Sequence, residues 1–479
     1  GCREEREAEV AAVSSVPTRP AKPANASKSA SSNSSNSPFR NVDRATPEQL
    51  RTRAWWLLVF TLIVPGLAQL VGGNRKLARF GLRATITIWA TLGFLLLLGL
   101  INRGWVIWLV TLPFVGTIIS WMLIAYAVIF LVLAVDALRL SRLGKLFDRD
   151  KWIALGAFAL VATLGTSAIS WAGNFVGAGT GAIGSIFSQQ GFSAPVDGRY
   201  NILLLGSDAG SDRFGVRPDS ISVVSIDAST GKTVSISIPR NLQKAPFSGD
   251  SPLWSVYPNG WACGNDCLIN ALYKDVMDNH QDLYPDAEKQ GSNPGIEATR
   301  DAVEGVTGLK IQSYVQIDMS EFASLIDALG GVRITIKQDL PIGGQRDDAS
   351  DARGWLRASA EPQLLTGYQA LWYARSRHGT SDYDRMLRQQ EIQAAMLKQM
   401  DPANVLSRFQ QIASASKELV LTDVPSGMLS VYLDLAIKAK KLGIKNLALV
   451  PKNGFEPDAP DFDKIRGAVQ TFIAKGKLS

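Results

Sequence analysis

The sequence predicts an α/β domain with a central mixed β-sheet flanked by helices, preceded by N-terminal transmembrane helices. Three observations predict it. The long apolar runs of this 479-residue chain crowd into residues 54–172. From residue 198 to 479, short β-branched runs alternate with helical periodicities over about 280 residues, enough for one large core. Between the two parts, residues 173–197 are rich in Gly, Ala and Ser, with few charges, and read as a linker.

Residues 1–50 begin with a charged patch and continue as a Ser/Asn/Ala/Pro tract. Such a segment buries too little apolar surface to offset its ordering entropy, so it is expected to be a disordered tail. Four apolar segments follow, near 54–72, 84–101, 105–136 and 152–172. Each approaches or exceeds the roughly 18–20 residues that cross a bilayer. Arg40, Arg44, Arg51 and Arg53 precede the first. Arg75, Lys76, Arg79 and Arg83 separate it from the second. Arg139, Arg142, Lys145, Arg149 and Lys151 separate the third from the fourth, and only Arg103 lies between the second and third. Basic clusters stay in the cytoplasm, which four full spans cannot satisfy. Three spans do, if the first segment enters and returns, broken at Pro65-Gly66. This places the N-terminus in the cytoplasm and the C-terminal domain outside, in a multi-pass protein of the cytoplasmic membrane. Pro113 and Gly116 leave room for a tilt or kink in the third segment.

The formal charge of +7 fits a nucleic acid or an anionic membrane surface equally. The absence of zinc-finger spacing and of a sustained basic helix argues against nucleic acid, and the basic residues beside the apolar runs favour membrane lipid. Cys263 and Cys267 sit in CGNDC; a disulfide is expected if that region is outside the cytoplasm, with free thiols as the alternative. Zinc would need two further ligands, and His280 and His378 are the chain's only histidines.

YNILLLG (200–206), SISVVSID (220–227) and TVSISI (233–238) read as strands, the last two forming a hairpin. Asp208 then follows strand one, Arg217 and Asp219 precede strand two, and Arg240 follows strand three, so that all four charges gather at one end of the sheet. Residues 318–331 read as a helix stopped by Gly330-Gly331, 332–336 as a strand, 370–375 as a strand ending at Arg375, and 384–400 as an amphipathic helix. On that helix Arg385, Arg388 and Gln389 share one face near the N-terminus, itself suited to phosphate. The run Arg375–Gln389 holds four arginines, Arg375, Arg377, Arg385 and Arg388. Guanidinium is planar, permanently charged and bidentate toward phosphate, so the expected guest is a phosphate or pyrophosphate. Pairing with Asp382, Asp384 and Glu391 is the structural alternative. Asp208 or Asp219 within an anion site is costly unless a cation such as Mg²⁺ bridges carboxylate and phosphate.

The segments LLLGSDAG, RPDS, SIPRN, IDALGGVRITI, LLTGYQALWYARSR and SDYDRMLRQQ, in this order over residues 200–390, resemble the LytR-CpsA-Psr family of cell-wall glycopolymer ligases. CGNDC, WYARSR and the tail 400–479 resemble its actinobacterial branch. The resemblance implies an extracytoplasmic α/β domain with a hydrophobic tunnel for a polyprenyl chain. It also implies transfer of a glycopolymer from a polyprenyl-pyrophosphate carrier to a peptidoglycan hydroxyl. On the matching positions, Asp208 and Asp219 would hold Mg²⁺. Arg217, Arg240, Arg375, Arg377, Arg385 and Gln389 would clamp the pyrophosphate, and Asp382 would orient the clamp or assist the acceptor. Asn241 stands where the family's PRD motif has its acid, and the membrane region is larger than a single anchor. A lipid-pyrophosphate phosphatase and a non-catalytic membrane-bound regulatory protein are the alternative functions.

Overall fold

The computed structural model describes residues 45–101, 105–106, 109, 112–187, 192–207, 217–343, 349–376, 381–399 and 420–478. The N-terminal tail before residue 45 lies outside them. Helix α1 (Pro47–Ile63) starts with proline in its first turn and a reciprocal capping box between Thr46 and Gln49. It stops at Pro65-Gly66. Gly66 has φ +102°, and a Cβ there would sit 2.6 Å from the Leu82 nitrogen, so both backbone angle and close approach require glycine. The short α2 (Leu67–Gly72) follows, then α3 (Arg75–Ile101), α4 (Pro113–Leu140) and α5 (Asp148–Ile186). The expected break of the first apolar segment is therefore present. Pro113 opens α4 rather than kinking it. Among the described residues, three helices are long and apolar enough to cross a membrane: Arg75–Ile101, Phe114–Lys145 and Asp148–Gly181.

Several polar groups inside this bundle are paired across helices. The Gln69 amide donates to the Leu133 carbonyl at 2.7 Å. The Thr85 hydroxyl lies 2.8 Å from the Pro65 carbonyl and 2.9 Å from the Tyr126 hydroxyl, and Arg53 Nε donates to the Leu140 carbonyl at 3.3 Å. Without water nearby, such pairing is what an inserted helix needs.

The first part of the supposed linker, residues 173–186, is helical and continues α5. Two of its glycines serve packing. A Cβ on Gly173 would lie 3.0 Å from Ile124, and one on Gly177 would lie 2.7 Å from the Ser120 hydroxyl, which itself donates to the Gly173 carbonyl at 2.8 Å. Small residues let α4 and α5 approach closely, and that tertiary contact outweighs glycine's poor helix propensity.

The C-terminal domain is built on a six-stranded mixed sheet in the order β10-β3-β2-β1-β4-β9. Its strands are β1 (Arg199–Ser207), β2 (Pro218–Asp227), β3 (Thr233–Ile238), β4 (Ser313–Asp318), β9 (Val420–Thr422) and β10 (Ile444–Ala448). The pairs β1–β2, β2–β3 and β4–β9 are antiparallel, whereas β1–β4 and β3–β10 are parallel. One face carries the main core. Leu203, Val223 and Ile236 meet Leu272 and Val276 of α6 (Ile269–Asn279), Val303 of α7 (Pro294–Thr307), and Val469 of α12 (Phe462–Lys475), all essentially without exposure. Arg466 fastens α12 to α7 by donating Nε to the Gly305 carbonyl at 2.9 Å. The tail thus supplies an edge strand and a core helix to this same unit.

On the opposite side, α8 (Met319–Leu329) leads to two small two-stranded sheets. Strand β5 (Val332–Ile334) pairs with β8 (Gln363–Leu365), and β6 (Leu340–Ile342) pairs with β7 (Gly354–Leu356). Helices α9 (Gly367–Arg375), α10 (Asp382–Gln399) and α11 (Leu429–Leu442) complete the layer. The expected strand 370–375 is corrected: it is α9. The Thr366 hydroxyl accepts the Gln369 N–H while the Gln369 side chain accepts the Thr366 N–H. Ala370, Tyr373 and Ala374 then bury one helical face. Cys263 and Cys267 form a disulfide, Cα–Cα 5.1 Å.

Candidate active site

Strand register brings two of the charged segments, those of Asp219 and Arg240, to one end of the sheet. Gly206, near the end of β1, pairs with Ser220 at the start of β2. Ile221 pairs with Ile238, the last residue of β3. Asp219 therefore belongs to β2 itself, rather than preceding it as the sequence reading had it, and Arg240 leaves β3 beside it. Helix α10 points its N-terminus at the same place.

The result is a chain of alternating charge. Arg240 Nη1 donates to Asp219 Oδ1 at 2.6 Å, and its Nε donates to Asp382 Oδ2 at 3.3 Å. Arg385 Nη2 donates to the same Asp382 oxygen at 3.1 Å and to the Asp219 carbonyl at 3.3 Å, while its Nη1 lies 3.9 Å from Asp219 Oδ2. Arg385 is only 2 % exposed, and Asp219 and Asp382 face it, the pairing that a buried guanidinium needs. At Arg240, burial opposes the charged form, but Asp219 and Asp382 together outweigh it and raise the pKa above that of a free guanidinium.

Arg375, the last residue of α9, stacks its guanidinium 5.7 Å from the Trp372 ring centroid. With Gln389 it forms part of the wall of a cavity of about 310 Å³ between the sheet and helices α8, α9 and α10. The rest of the lining is largely apolar: Leu204, Val224, Val315, Ile317, Phe322, Leu371, Ile392, Met396 and Leu397 among others. Gly206 and Ser220 also line it, so one end of the cavity abuts Asp219 and its arginines.

Arg388 departs from the expected role. It is 7 % exposed and turns inward, donating Nε to the Tyr373 carbonyl at 2.9 Å and Nη2 to the Ser376 carbonyl. Burial lowers its pKa against the opposing pull of Tyr373, Asp384 and Glu391. It fastens the end of α9 to α10, because the last turn of α9 leaves carbonyls without helical partners. Arg217 is exposed at the entry to β2. Asp208 and Arg377 lie outside the described residues. The Asn241 Oδ1 is buried with no hydrogen-bond partner among the described residues.

Sequence reasoning missed what holds α10 against the sheet. Gln390 Nε2 donates to the Ser237 hydroxyl at 2.6 Å, and Gln393 lies 3.4 Å from the hydroxyls of Ser235 and Ser222. The signal was available: Ser235 and Ser237 share a strand face, and Gln390 and Gln393 share a helix face. It also missed the cavity wall that α9 supplies, since a strand would have placed those side chains differently.

Residues 183–465 match the family model described as LytR_cpsA_psr family. Among relatives, biofilm regulatory protein A of Streptococcus mutans is 28% identical over 233 residues, covering 47% of this chain and 50% of the relative. TagV of Bacillus subtilis, named a polyisoprenyl-teichoic acid–peptidoglycan teichoic acid transferase, is 26% identical over 286 residues, covering 57% and 64%. The cell wall biosynthesis protein LcpA of Corynebacterium glutamicum is 27% identical over 261 residues, covering 49% and 46%. The chain thus spans between about half and two-thirds of the length of these relatives. The crystal structure of B. subtilis TagV aligns with 58% of this chain and 97% of its own, at 24% identity and TM-score 0.40. A sequence match extending from the end of α5 into α12, across every element that builds the charged cluster, places the chain in the LytR-CpsA-Psr family.

Proposed function

We propose that this protein is a phosphotransferase that moves a glycopolymer from a polyprenyl-pyrophosphate carrier onto peptidoglycan. One observation carries the reading: the cavity, apolar over most of its wall, ends at Arg375 and Gln389, beside the Asp219–Arg240–Asp382–Arg385 cluster. A guest that satisfies both halves is an amphiphile with a long hydrocarbon chain and a multivalent anionic head. The relatives named as teichoic acid transferases support the same class of reaction.

In this mechanism an acceptor hydroxyl oxygen bonds to the phosphorus that bears the glycopolymer, and the bond from that phosphorus to the bridging oxygen breaks. Polyprenyl phosphate leaves and the hydroxyl proton passes to a base. Arg240, Arg375 and Arg385 supply charge where it builds on the phosphate oxygens, and the N-terminus of α10 adds its partial charge. Asp382 holds Arg240 and Arg385 at a fixed spacing through one oxygen, Oδ2, and is the carboxylate placed to assist the acceptor. In this proposal Asp219 would supply one ligand to Mg²⁺. Its Oδ1 is committed to Arg240, while Oδ2 keeps a 3.9 Å separation from Arg385, and a carboxylate accepts a cation and a guanidinium together. Asp208 is the second ligand in this proposal. Bound there, Mg²⁺ would neutralise pyrophosphate charge.

The basic clusters around the membrane helices orient the chain with its N-terminus in the cytoplasm and the domain outside, anchored by three spans in a multi-pass arrangement. The Cys263–Cys267 disulfide accords with an oxidising compartment. The test is reconstitution of the full chain with Mg²⁺, a polyprenyl-pyrophosphate glycan and peptidoglycan. Glycan appearing on the wall, lost in Arg240→Ala and Arg375→Ala, is the expected result. Phosphate release without transfer would instead make the protein a pyrophosphatase, and neither product would leave a binding or regulatory role.

A further inference from the structure

We infer that the recess between α3 and α4, at the basic end of the membrane bundle, holds the headgroup of an anionic phospholipid. This site lies in the membrane region, apart from the candidate active site, and stands whether or not the C-terminal domain acts on a diphosphate. The recess measures about 710 Å³, within the roughly 300–1,000 Å³ of small-molecule sites. Asn74, Lys76, Asp136 and Arg139 form its polar end, and Phe80, Leu131, Val132 and Val135 line the rest with Leu77. Lys76 and Phe80 are spaced i, i+4 on α3. Val132, Asp136 and Arg139 are spaced i, i+4, i+7 on α4. Each helix therefore carries charge and apolar surface in succession along one face.

The polar end has a fixed frame. Asp136 and Arg139 are the only charged residues in the sequence of α4, and an acid in so apolar a helix is costly unless it has a partner or a task. The Asn74 amide donates to both Asp136 oxygens at 3.2 Å, and the Asn74 carbonyl oxygen of the side chain accepts the Leu77 N–H at 3.4 Å at the start of α3. The acid thus ties α3 to α4 and keeps Lys76 and Arg139 on either side of one recess. Both cations are exposed, and neither makes an ion pair among the described residues. Two cations and one carboxylate leave one positive charge in excess, the complement of a phosphodiester. With the phosphate at Lys76 and Arg139, a hydroxyl of the headgroup finds an acceptor in Asp136. The apolar wall selects a lipid over a soluble anion. Phe80, Leu131, Val132 and Val135 face outward from the bundle, where acyl chains run, and the span from Arg139 back to Leu131 is about 12 Å along the helix. Because basic clusters stay in the cytoplasm, this is the cytoplasmic leaflet, whose anionic lipids attract Lys and Arg.

The experiment titrates the detergent-solubilised full chain with phosphatidylglycerol or phosphatidylcholine and reads bound lipid by native mass spectrometry. The wild type is expected to bind phosphatidylglycerol at least about fivefold more tightly, the effect of one Lys or Arg beside an anionic lipid. Lys76→Gln and Arg139→Gln should each cut this preference to about twofold or less. Arg79→Gln removes an exposed cation of α3 outside the recess and should leave the preference unchanged. Val132→Trp should weaken phosphatidylglycerol binding by filling the apolar wall. Equal affinity of the wild type for both lipids, or persistence of the preference in both glutamine variants of the recess, overturns the site. An equal loss in Arg79→Gln would make it a diffuse cationic surface, and undiminished binding in Val132→Trp would make it a site for charge alone; either result overturns the lipid recess.

Discussion

Replacing Arg240 by lysine tests whether the cluster is a clamp with fixed geometry or simply a positive patch. Arg240 reaches two carboxylates on different elements, Asp219 of β2 at 2.6 Å through Nη1 and Asp382 of α10 at 3.3 Å through Nε. Lysine keeps the charge but ends in a single ammonium, so it can hold one partner at the observed spacing and must release the other. A hydrogen bond involving a charged group contributes about 1.5–3 kcal/mol. Both side chains of the Arg240–Asp382 pair are roughly a quarter exposed, at 28% and 27%, so solvent screening favours the lower end of that range. About 1.5–2 kcal/mol corresponds to a ten- to thirtyfold change in rate. Arg240→Lys should therefore lower kcat/KM for transfer to peptidoglycan by about ten- to thirtyfold, and Arg240→Ala, losing both bonds and the charge, by about 10²–10³-fold. Thermal melting separates this from unfolding: Arg385 still ties α10 to Asp219, so Tm should fall by no more than a few degrees. A lysine variant within threefold of the wild-type rate would refute the clamp geometry.

Leu371→Trp should fill part of the cavity beside Arg375; a polyprenyl phosphate is expected to bind at least tenfold more weakly by titration, with the melting curve little changed. Gly367→Ala should destabilise the domain, because a Cβ there would lie 1.9 Å from the Ala323 carbonyl oxygen. Such overpacking costs about 1–3 kcal/mol, read as a Tm lowered by several degrees. Asp384 accepts the Ser381 N–H and hydroxyl, both at 2.8 Å, and these bonds depress its pKa below the ordinary carboxylate value. A depressed folded-state pKa contributes stability that is full above the unfolded value near ~3.9 and is lost as pH falls through the folded value. Wild-type α10 should accordingly loosen in acid over that window, and Asp384→Asn should show a shallower acid dependence of melting.

The strands were legible because burial is written into them. YNILLLG, SISVVSID and TVSISI are each β-branched or apolar runs bounded by turn residues, and β1, β2 and β3 fall on them within two residues. The error at residues 370–375 has a definite source. ALWYAR is apolar and aromatic, which a short window reads as strand, yet Thr366-x-x-Gln369 is a helix-start signature lying just upstream. The capping interaction and the 3.6-residue spacing of Ala370, Tyr373 and Ala374 decide the outcome. Residues 173–186 failed for the opposite reason. Their composition argues for a linker, and only the partner helix α4, invisible to a local window, makes glycine an asset there.

The charges of the site were easier to find than their roles. Any scan locates Asp219, Arg240, Asp382, Arg385 and Arg388, since ionisable residues at element ends stand out. Which of them faces a guest depends on backbone carbonyls, and these carry no sequence signal. Arg385 and Arg388 lie one helical turn apart, and both are buried. Arg385 reaches carboxylates from two elements, whereas Arg388 reaches the carbonyls at the end of α9. The difference follows from α9 being a helix. A helix ending at Arg375 leaves carbonyl oxygens that need donors, and Arg388 is the donor within reach. A strand at the same place would have spent those carbonyls on a neighbouring strand and left Arg388 available to an anion. The misassigned strand at 370–375 and the reassigned arginine are therefore a single error. Correcting the first predicts that Arg388→Ala should weaken folding of the α9–α10 layer before it alters affinity for a diphosphate.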